Sequence, residues 1–174
     1  MGDVHKAEDD VIIRPGDYRI QVQLLEAKDI IPHKSVGMTM FGNNEGSWDP
    51  IVEVKIWGQS KRTEYQSNTL SPIFNETLFF ELSNVTQNEL EEAVIELSLF
   101  DYNSLATNSF IGKFTVDAAY IYQMNSDHEL YRKWVILTDT TDSTEGAKGY
   151  LRVSINVLGP GDRPPVHNAL KDLK

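Results

Sequence analysis

Residues 17–27 read DYRIQVQLLEA and alternate between apolar and polar side chains along most of their length. One face carries the apolar side chains of Tyr18, Ile20, Val22 and Leu24. The opposite face carries arginine and glutamine. This period of two is typical of a β-strand that is buried on one side only, and it predicts such a strand here.

The same alternation returns along the chain. Four further stretches show it clearly: residues 52–56, 78–82, 95–99 and 151–157. Weaker strand patterns occupy residues 60–66, 110–116 and 132–137. Two connections have short helical patterns, at residues 88–93 and 117–124. About eight short strands separated by turn residues predict an all-β, antiparallel sandwich or barrel with one or two short helices in its connections.

Composition narrows the function classes. The chain has 174 residues, 40% of them apolar, which is enough for one well-packed domain. It has no cysteine, so disulfides, thiolate zinc sites and cysteine nucleophiles are excluded. The formal charge of −10 argues against nucleic acid, whose binding depends on neutralising phosphates. No apolar run approaches the roughly 18 residues of a membrane span.

Catalysis has little support in the sequence. The four histidines, His5, His33, His128 and His167, lie in tails or connections and show neither nucleophile nor zinc spacing. No glycine-rich phosphate loop follows a strand. We therefore expect a protein that is not an enzyme.

Periodicity divides the chain into three parts. Residues 1–16 are polar and acidic and read as a tail or linker. Residues 17–158 carry all the strand patterns and form the expected domain. Residues 159–174 are rich in proline and glycine and read as a second linker.

A long connection, residues 28–49, separates the first two strands and ends in NNEGSWDP. Pro50 keeps Asp49 extended at the start of a strand, and Asp101 ends another strand. If both strand ends lie at one edge, two carboxylates meet there. Calcium takes 6–8 oxygen ligands, so this edge is a candidate calcium site. The alternative is that each acid only organises a turn by hydrogen bonding.

Three stretches resemble C2 domains: SWDPIVEVKIWGQ at 47–59, LSPIFNETLFFEL at 70–82 and LFDYNSLATNSFIGKFTV at 99–116. The first resembles the Asp-Pro-Tyr-Val-x-Val strand of the family, and the last its third calcium-binding loop. C2 domains are eight-stranded antiparallel sandwiches in two circular permutations. A single strand before the long loop and a final strand at 149–158 resemble the type II order.

A closer resemblance is to ferlins, large membrane proteins with several C2 domains, and most of all to their second C2 domain. It is carried by GQSKRT at 58–63, FNETLFF at 74–80, YRKWVIL at 131–137, GAKGYLRVSINVLGPGD at 146–162 and the trailing Pro-Pro. The resemblance implies a fragment of a longer, membrane-anchored protein that works at the cytoplasmic face of a membrane.

The resemblance also implies a set of metal positions. C2 domains that bind calcium use about five acids, and the matching positions here are Asn43, Asp49, Asp101, Asn103 and Ser109. Only two of these keep a carboxylate. Glu45 or Asp29 could replace the first position. Sites with few carboxylates have a Kd of roughly 10⁻⁴–10⁻³ M, so we expect calcium binding that is absent, weak or assisted by lipid.

Two further surfaces follow from the resemblance. Loop tips that dip among lipid headgroups would here be Met38, Met40, Phe41 and Leu105, unless these side chains fold back onto the sandwich. A basic strand face that binds anionic headgroups would here be Lys55, Lys61 and Arg62, unless it is an ordinary solvated face.

The leading interpretation is a non-catalytic C2 module of a ferlin-like protein in vesicle trafficking or fusion. It would contact phospholipid membranes or protein partners, with a degenerate calcium site and as a monomer when isolated. The alternative is a genuine calcium-dependent phospholipid sensor that regulates exocytosis.

Overall fold

The fold is built from eight strands and two short helices in the part of the chain that the structure describes. A computed structural model describes residues 11–31, 48–102, 108–141 and 146–168. The strands are β1 (Gly16–Lys28), β2 (Pro50–Ile56), β3 (Gln59–Arg62), β4 (Ile73–Val85), β5 (Val94–Asp101), β6 (Ser109–Asp117), β7 (Glu129–Thr138) and β8 (Ala147–Leu158). The helices are α1 (Gln87–Glu92) and α2 (Ala118–Met124).

The strands form an antiparallel sandwich. Their hydrogen-bonded order is β3-β2-β5-β6-β7-β8-β1-β4, and β6 meets β7 through the single pair Lys113 and Thr138. The ladder is therefore divided into two four-stranded halves. The outer strands β3 and β4 come together, since the Gln59 side-chain amide donates to the Glu81 carbonyl at 2.9 Å. The predicted all-β class, the eight strands and the short connecting helices are confirmed.

The core lies between the two halves. Along β1 every second side chain from Tyr18 to Leu24 is buried, as the alternation predicts. In the other half, Val52 of β2 pairs with Leu99 of β5, and Val54 pairs with Leu97. All of these belong to one buried apolar cluster. Removing this area from water, at roughly 25 cal/mol per Å², holds the halves together.

The two helices close one end of the sandwich. Helix α1 begins with a capping box, in which the Glu89 N–H donates to the Thr86 hydroxyl and the Thr86 N–H donates to the Glu89 carboxylate. Helix α2 buries Ile121 and Tyr122. Neither helix, nor any other in the described parts of the chain, is long and apolar enough to cross a bilayer.

Strand β3 is shorter than its sequence pattern. The pattern extends to residue 66, whereas the strand ends at Arg62. Thr63 explains the difference, because its hydroxyl accepts the Val52 N–H at 3.1 Å while its own N–H donates to the Val52 carbonyl. The side chain replaces the backbone acceptor of the ladder, and the chain then turns away.

The segment after β8 folds back onto the sandwich. The Gly159 N–H donates to the Asp162 carboxylate at 2.8 Å. Further along, the His167 ring stacks on Tyr131 with centroids 3.6 Å apart, and its Nε2 lies 2.7 Å from the Glu129 carboxylate. Residues 159–168, which the sequence assigns to a linker, therefore contact the outer face of the sheet.

Tyr18, near the start of β1, contacts both Arg14 and Tyr122 of helix α2. Its hydroxyl donates to the Arg14 carbonyl at 2.5 Å, and its ring meets Tyr122 edge-on at 5.6 Å. Burial, followed by the charges of Tyr122 and Asp162, raises the pKa of Tyr18 to about 12. Stability from the neutral phenol is thus complete below pH 10 and is lost as the pH rises toward 12.

We expect Tyr18→Phe to lower the free energy of unfolding by about 1 kcal/mol at neutral pH, because it removes a buried hydrogen bond. Between pH 10 and 12 the Tyr18 phenol of the wild type ionises in the unfolded state but stays neutral in the folded state, which favours unfolding. The difference in unfolding free energy between the wild type and the variant should therefore shrink over this range. Denaturant unfolding at several pH values measures both effects. Tyr120→Phe, at a 63% exposed position, is the control and should leave the curve unchanged. A constant gap across this range would contradict the prediction.

Candidate functional site

The two predicted carboxylates meet at one edge of the sandwich. Asp101 ends β5 directly opposite Pro50, at the start of β2. The backbone N–H of Asp49 donates to Oδ1 of Asp101 at 2.8 Å, and the Tyr102 N–H donates to the Asp49 carbonyl at the same distance. The antiparallel register of β2 and β5 therefore brings together two acids that lie 52 positions apart in sequence.

Asp49 also holds the neighbouring loop, residues 63–72. Its Oδ1 accepts the Asn68 N–H at 2.7 Å. On either side of Asp49, the Trp48 carbonyl accepts the Thr69 N–H and the Pro50 carbonyl accepts the Gln66 N–H. This partnership was not predicted, because Asn68 lies 19 positions away across a hairpin. The only signal was the run SNTLSP, which indicates a turn without naming its partner.

The other metal positions are placed only in part. Ser109 is exposed at the start of β6 as the cross-strand partner of Asp101, so three of the five positions lie at this edge. Asn43 and Asn103 lie outside the described residues, as does Glu45. Asp29, the other possible substitute, is exposed directly after β1 in a left-handed conformation with φ of 52°.

Among the residues that the structure describes, the charge that acts on the Asp101 carboxylate is that of Asp49, and no base is among the causes of its pKa shift. Burial raises the pKa of Asp101, the hydrogen bond from the Asp49 N–H lowers it, and the negative charge of Asp49 raises it again. The net direction is upward. Two acids this close repel each other in the ionised state, and a cation between them would relieve that repulsion.

Within the described residues, this edge offers few ligands for such a cation. Each carboxylate already uses its Oδ1 to accept a backbone N–H. The Ser109 hydroxyl is neutral. Across residues 11–31, 48–102, 108–141 and 146–168, no group of three or more histidine, cysteine, aspartate or glutamate side chains could hold a metal ion. Two carboxylates could contribute to calcium coordination here, but they form an incomplete shell of the 6–8 oxygens that calcium takes.

Aromatic rings flank the carboxylates. Tyr65 and Tyr102 stack with centroids 4.5 Å apart and planes 10° from parallel, and they join the loop after β3 to the loop after β5. Tyr65 and Leu70 are exposed. The predicted tip residues Met38, Met40, Phe41 and Leu105 all lie outside the described residues. The exposed apolar surface seen at this edge thus comes from residues that the sequence did not single out.

The register of β2 and β3 separates the three bases of the predicted basic face, Lys55, Lys61 and Arg62. Arg62 lies opposite Glu53, with Nε 2.7 Å from the Glu53 carboxylate, and Lys55 Nζ lies 3.4 Å from the same group. Lys61 faces the other side of β3 and donates to the Phe79 carbonyl. The structure therefore brings Lys55 and Arg62 together around an acid and separates Lys61 from them.

Glu53 offsets much of the positive charge of this pair. It is only 5% exposed. Burial alone raises the pKa of Glu53, but the hydrogen bonds and charges of Arg62 and Lys55 outweigh burial and leave that pKa lowered. A second pair, Lys113 and Glu96 at 3.9 Å, lies on the same sheet. Bases on this face are interleaved with acids.

Family models divide the chain into two matches. Residues 18–137 match the C2 domain, and residues 138–172 match the FerI (NUC094) domain. The division falls within the sandwich, because β8 lies in the second match and yet pairs with both β7 and β1.

Ferlins are similar to this chain over most of its length. Myoferlin of Xenopus tropicalis is 36% identical over 161 residues, which are 92% of this chain and 8% of that protein. Human myoferlin is 33% identical over 91% of this chain, and ferlin 2 of Tetrahymena thermophila is 31% identical over 87%. The chain spans only 7–8% of the length of these relatives.

Solved structures share the fold at lower identity. A structure of extended synaptotagmin 2 that contains its SMP domain and two C2 domains superposes with a TM-score of 0.61 at 13% identity, covering 82% of this chain and 28% of that one. A C2 domain of plant extended synaptotagmin 1 gives 0.56 at 19% identity, covering 90% of this chain and all of that one. These structures share the fold, and the family match over residues 18–137 together with the ferlin relatives shows that the chain belongs to the C2 domain family and is a C2 domain of the ferlin type.

Proposed function

We propose that this chain is a non-catalytic C2 module of a ferlin-like membrane-trafficking protein, with a degenerate calcium site. It contacts a phospholipid membrane, or a partner of the trafficking machinery, and binds little or no calcium alone. The observation that carries this proposal is the hydrogen bonding of Asp49 and Asp101. Each carboxylate accepts a backbone N–H from a neighbouring segment, Asp101 from Asp49 and Asp49 from Asn68, so the two acids organise the edge without an ion.

Charge explains why calcium would bind weakly. A calcium ion must lose much of its hydration shell, and carboxylates offset that cost better than amides or hydroxyls. Three of the five carried-over positions are asparagine or serine. With two carboxylates the affinity should fall near the weak end of the calcium range, with a Kd of roughly 10⁻⁴–10⁻³ M.

One observation favours a calcium-dependent phospholipid sensor as a second candidate. The raised pKa of Asp101, due to burial and to the charge of Asp49, marks a place where a bound cation would relieve repulsion. A lipid phosphate could supply the missing negative oxygens and complete the shell. In that case calcium would bridge the protein and the membrane.

Calcium titration by calorimetry separates the two candidates. The degenerate site predicts no heat of binding below about 10⁻⁴ M calcium, with or without phosphatidylserine liposomes. The sensor predicts tight binding once liposomes are present, and Asp49→Asn with Asp101→Asn should abolish it. Binding tighter than about 10⁻⁴ M by the protein alone would overturn the degenerate site.

Asp101→Asn should leave the protein as stable as the wild type at pH 7, or more stable. Asparagine keeps an oxygen to accept the Asp49 N–H and removes a charge whose native pKa is raised. Because a raised carboxyl pKa lowers wild-type stability as the pH rises through it, the advantage of the variant should disappear toward about pH 4. Thermal unfolding without calcium, at pH 4 to 8, gives this comparison.

Asp101→Ala is the matched control for that series. It leaves the Asp49 N–H without an acceptor, which costs about 1–3 kcal/mol at every pH. Should Asp101→Asn be as unstable as Asp101→Ala at pH 7, the charge of Asp101 would be stabilising and our account of this edge would be wrong.

A further inference from the structure

The basic side chains on the two outer faces of the sandwich have different neighbours. On the β2–β3 side, Lys55 and Arg62 are held by Glu53. On the opposite side, β7, β8 and β1 lie next to one another and carry bases among exposed aromatic and aliphatic side chains. We call the set formed by Lys28, Trp134, Ile136, Tyr150 and Arg152 the Trp134 patch.

Cross-strand register assembles the Trp134 patch. Trp134 of β7 lies opposite Arg152 of β8, and Ile136 lies opposite Tyr150. Tyr150 in turn lies opposite Lys28 of β1. Five side chains from three neighbouring strands thus share one face of the sheet, and no two strands of the three are adjacent in sequence except β7 and β8.

Two cations lie near the indole ring of Trp134. Lys28 Nζ lies 4.1 Å from the Trp134 ring centroid and 5.8 Å from that of Tyr150. The Arg152 guanidinium lies 5.9 Å from the Trp134 centroid. Trp134 remains 37% exposed and Ile136 is 51% exposed. Both bases therefore present their charge at the surface beside apolar side chains that water can reach.

The charge of this region is opposite to that of the chain as a whole. The acid that pairs here is Glu26, whose carboxylate lies 3.8 Å from Arg152. Lys28 and Arg152 outnumber this acid on a chain whose formal charge is −10. An anionic partner is thus favoured at this face.

We propose that the Trp134 patch is a contact surface for an anionic phospholipid bilayer. The inference rests on the membrane contact proposed above and names a face for it, separate from the loop edge. Tryptophan and tyrosine are suited to the interface between headgroups and acyl chains, because each ring is apolar and carries one polar group. Each nearby lysine or arginine adds about 1 kcal/mol of attraction to an anionic surface.

The position of the patch fits a bilayer as partner. The side chains stand on a paired sheet face rather than in a groove that would enclose a peptide. At the end nearest Tyr150, the Ile31 N–H donates to the Lys148 carbonyl at 2.8 Å, and Ile31 is exposed. The start of the long loop is thereby fastened beside the patch, so a membrane that meets the loop edge obliquely would also meet this face.

Intrinsic fluorescence gives a direct test. The chain has three tryptophans, Trp48, Trp57 and Trp134. In the 174-residue chain carrying Trp48→Phe and Trp57→Phe, emission reports Trp134 alone. Without calcium, vesicles of phosphatidylcholine with phosphatidylserine should shift that emission to shorter wavelength. Vesicles of phosphatidylcholine alone should not. An unchanged spectrum with both vesicles, or an equal shift with both, would overturn the proposal.

Vesicle cosedimentation then tests the residues. Trp134→Ala, and separately Lys28→Gln with Arg152→Gln, should each weaken binding to phosphatidylserine vesicles about tenfold or more, since two basic side chains are worth about 2 kcal/mol. Trp57→Asn is a matched control, because it removes an exposed tryptophan elsewhere and asparagine tolerates its φ of 45°. Arg163→Gln, at an exposed base outside both the patch and the predicted basic strand face, controls for charge. Both controls should bind like the wild type.

The outcomes distinguish the two proposals. If the wild type binds these vesicles and both patch variants bind equally well, this inference is wrong while the membrane contact proposed above stands. If the wild type binds neither kind of vesicle, both fail. If polyglutamate shifts the Trp134 emission and phosphatidylserine vesicles do not, the patch recognises acidic protein, and the lipid assignment is overturned. Circular dichroism and the thermal midpoint check that each variant is folded.

Discussion

The structure depends on one constraint, which is that the apolar faces of alternating strands must be buried against each other. β1 buries every second residue from Tyr18 to Leu24, and β5 buries Leu97 and Leu99. Because neither half can bury its face alone, the eight strands become one sandwich with a shared core. The loop edge and the outer faces are placed by that packing.

At the loop edge, the packing of the sandwich fixes the separation of Asp49 and Asp101, and this separation sets the charge of the site. Antiparallel pairing of β2 and β5 brings the Asp49 backbone to the Asp101 carboxylate. The same closeness raises the pKa of Asp101, through burial and through the charge of Asp49. Two acids that each hold a neighbouring segment in place organise the edge without an ion, and this supports the degenerate calcium site that we propose.

Register also explains why similar residues differ in what they can do. Lys55 and Arg62 lie beside Glu53, so their charge is largely used within the protein. Lys28 and Arg152 lie beside Trp134 and leave their charge at the surface. The basic face expected from the C2 resemblance is thus the more compensated one. The sequence could not reveal this, because alternation along a strand does not say which strand is its neighbour.

Local pattern by itself determined the strands and the two helices and marked Asp49 and Asp101 as acids at strand ends, since periodicity and turn residues act over a few positions. The match to ferlins was equally readable from motifs such as FNETLFF. Only the tertiary structure decided that Asp49 and Asp101 lie together, that Asn68 binds Asp49, that Thr63 ends β3 and that Lys28 and Arg152 both lie near Trp134. These contacts join distant segments, and their partners are chosen by sheet order and register rather than by the residues on either side.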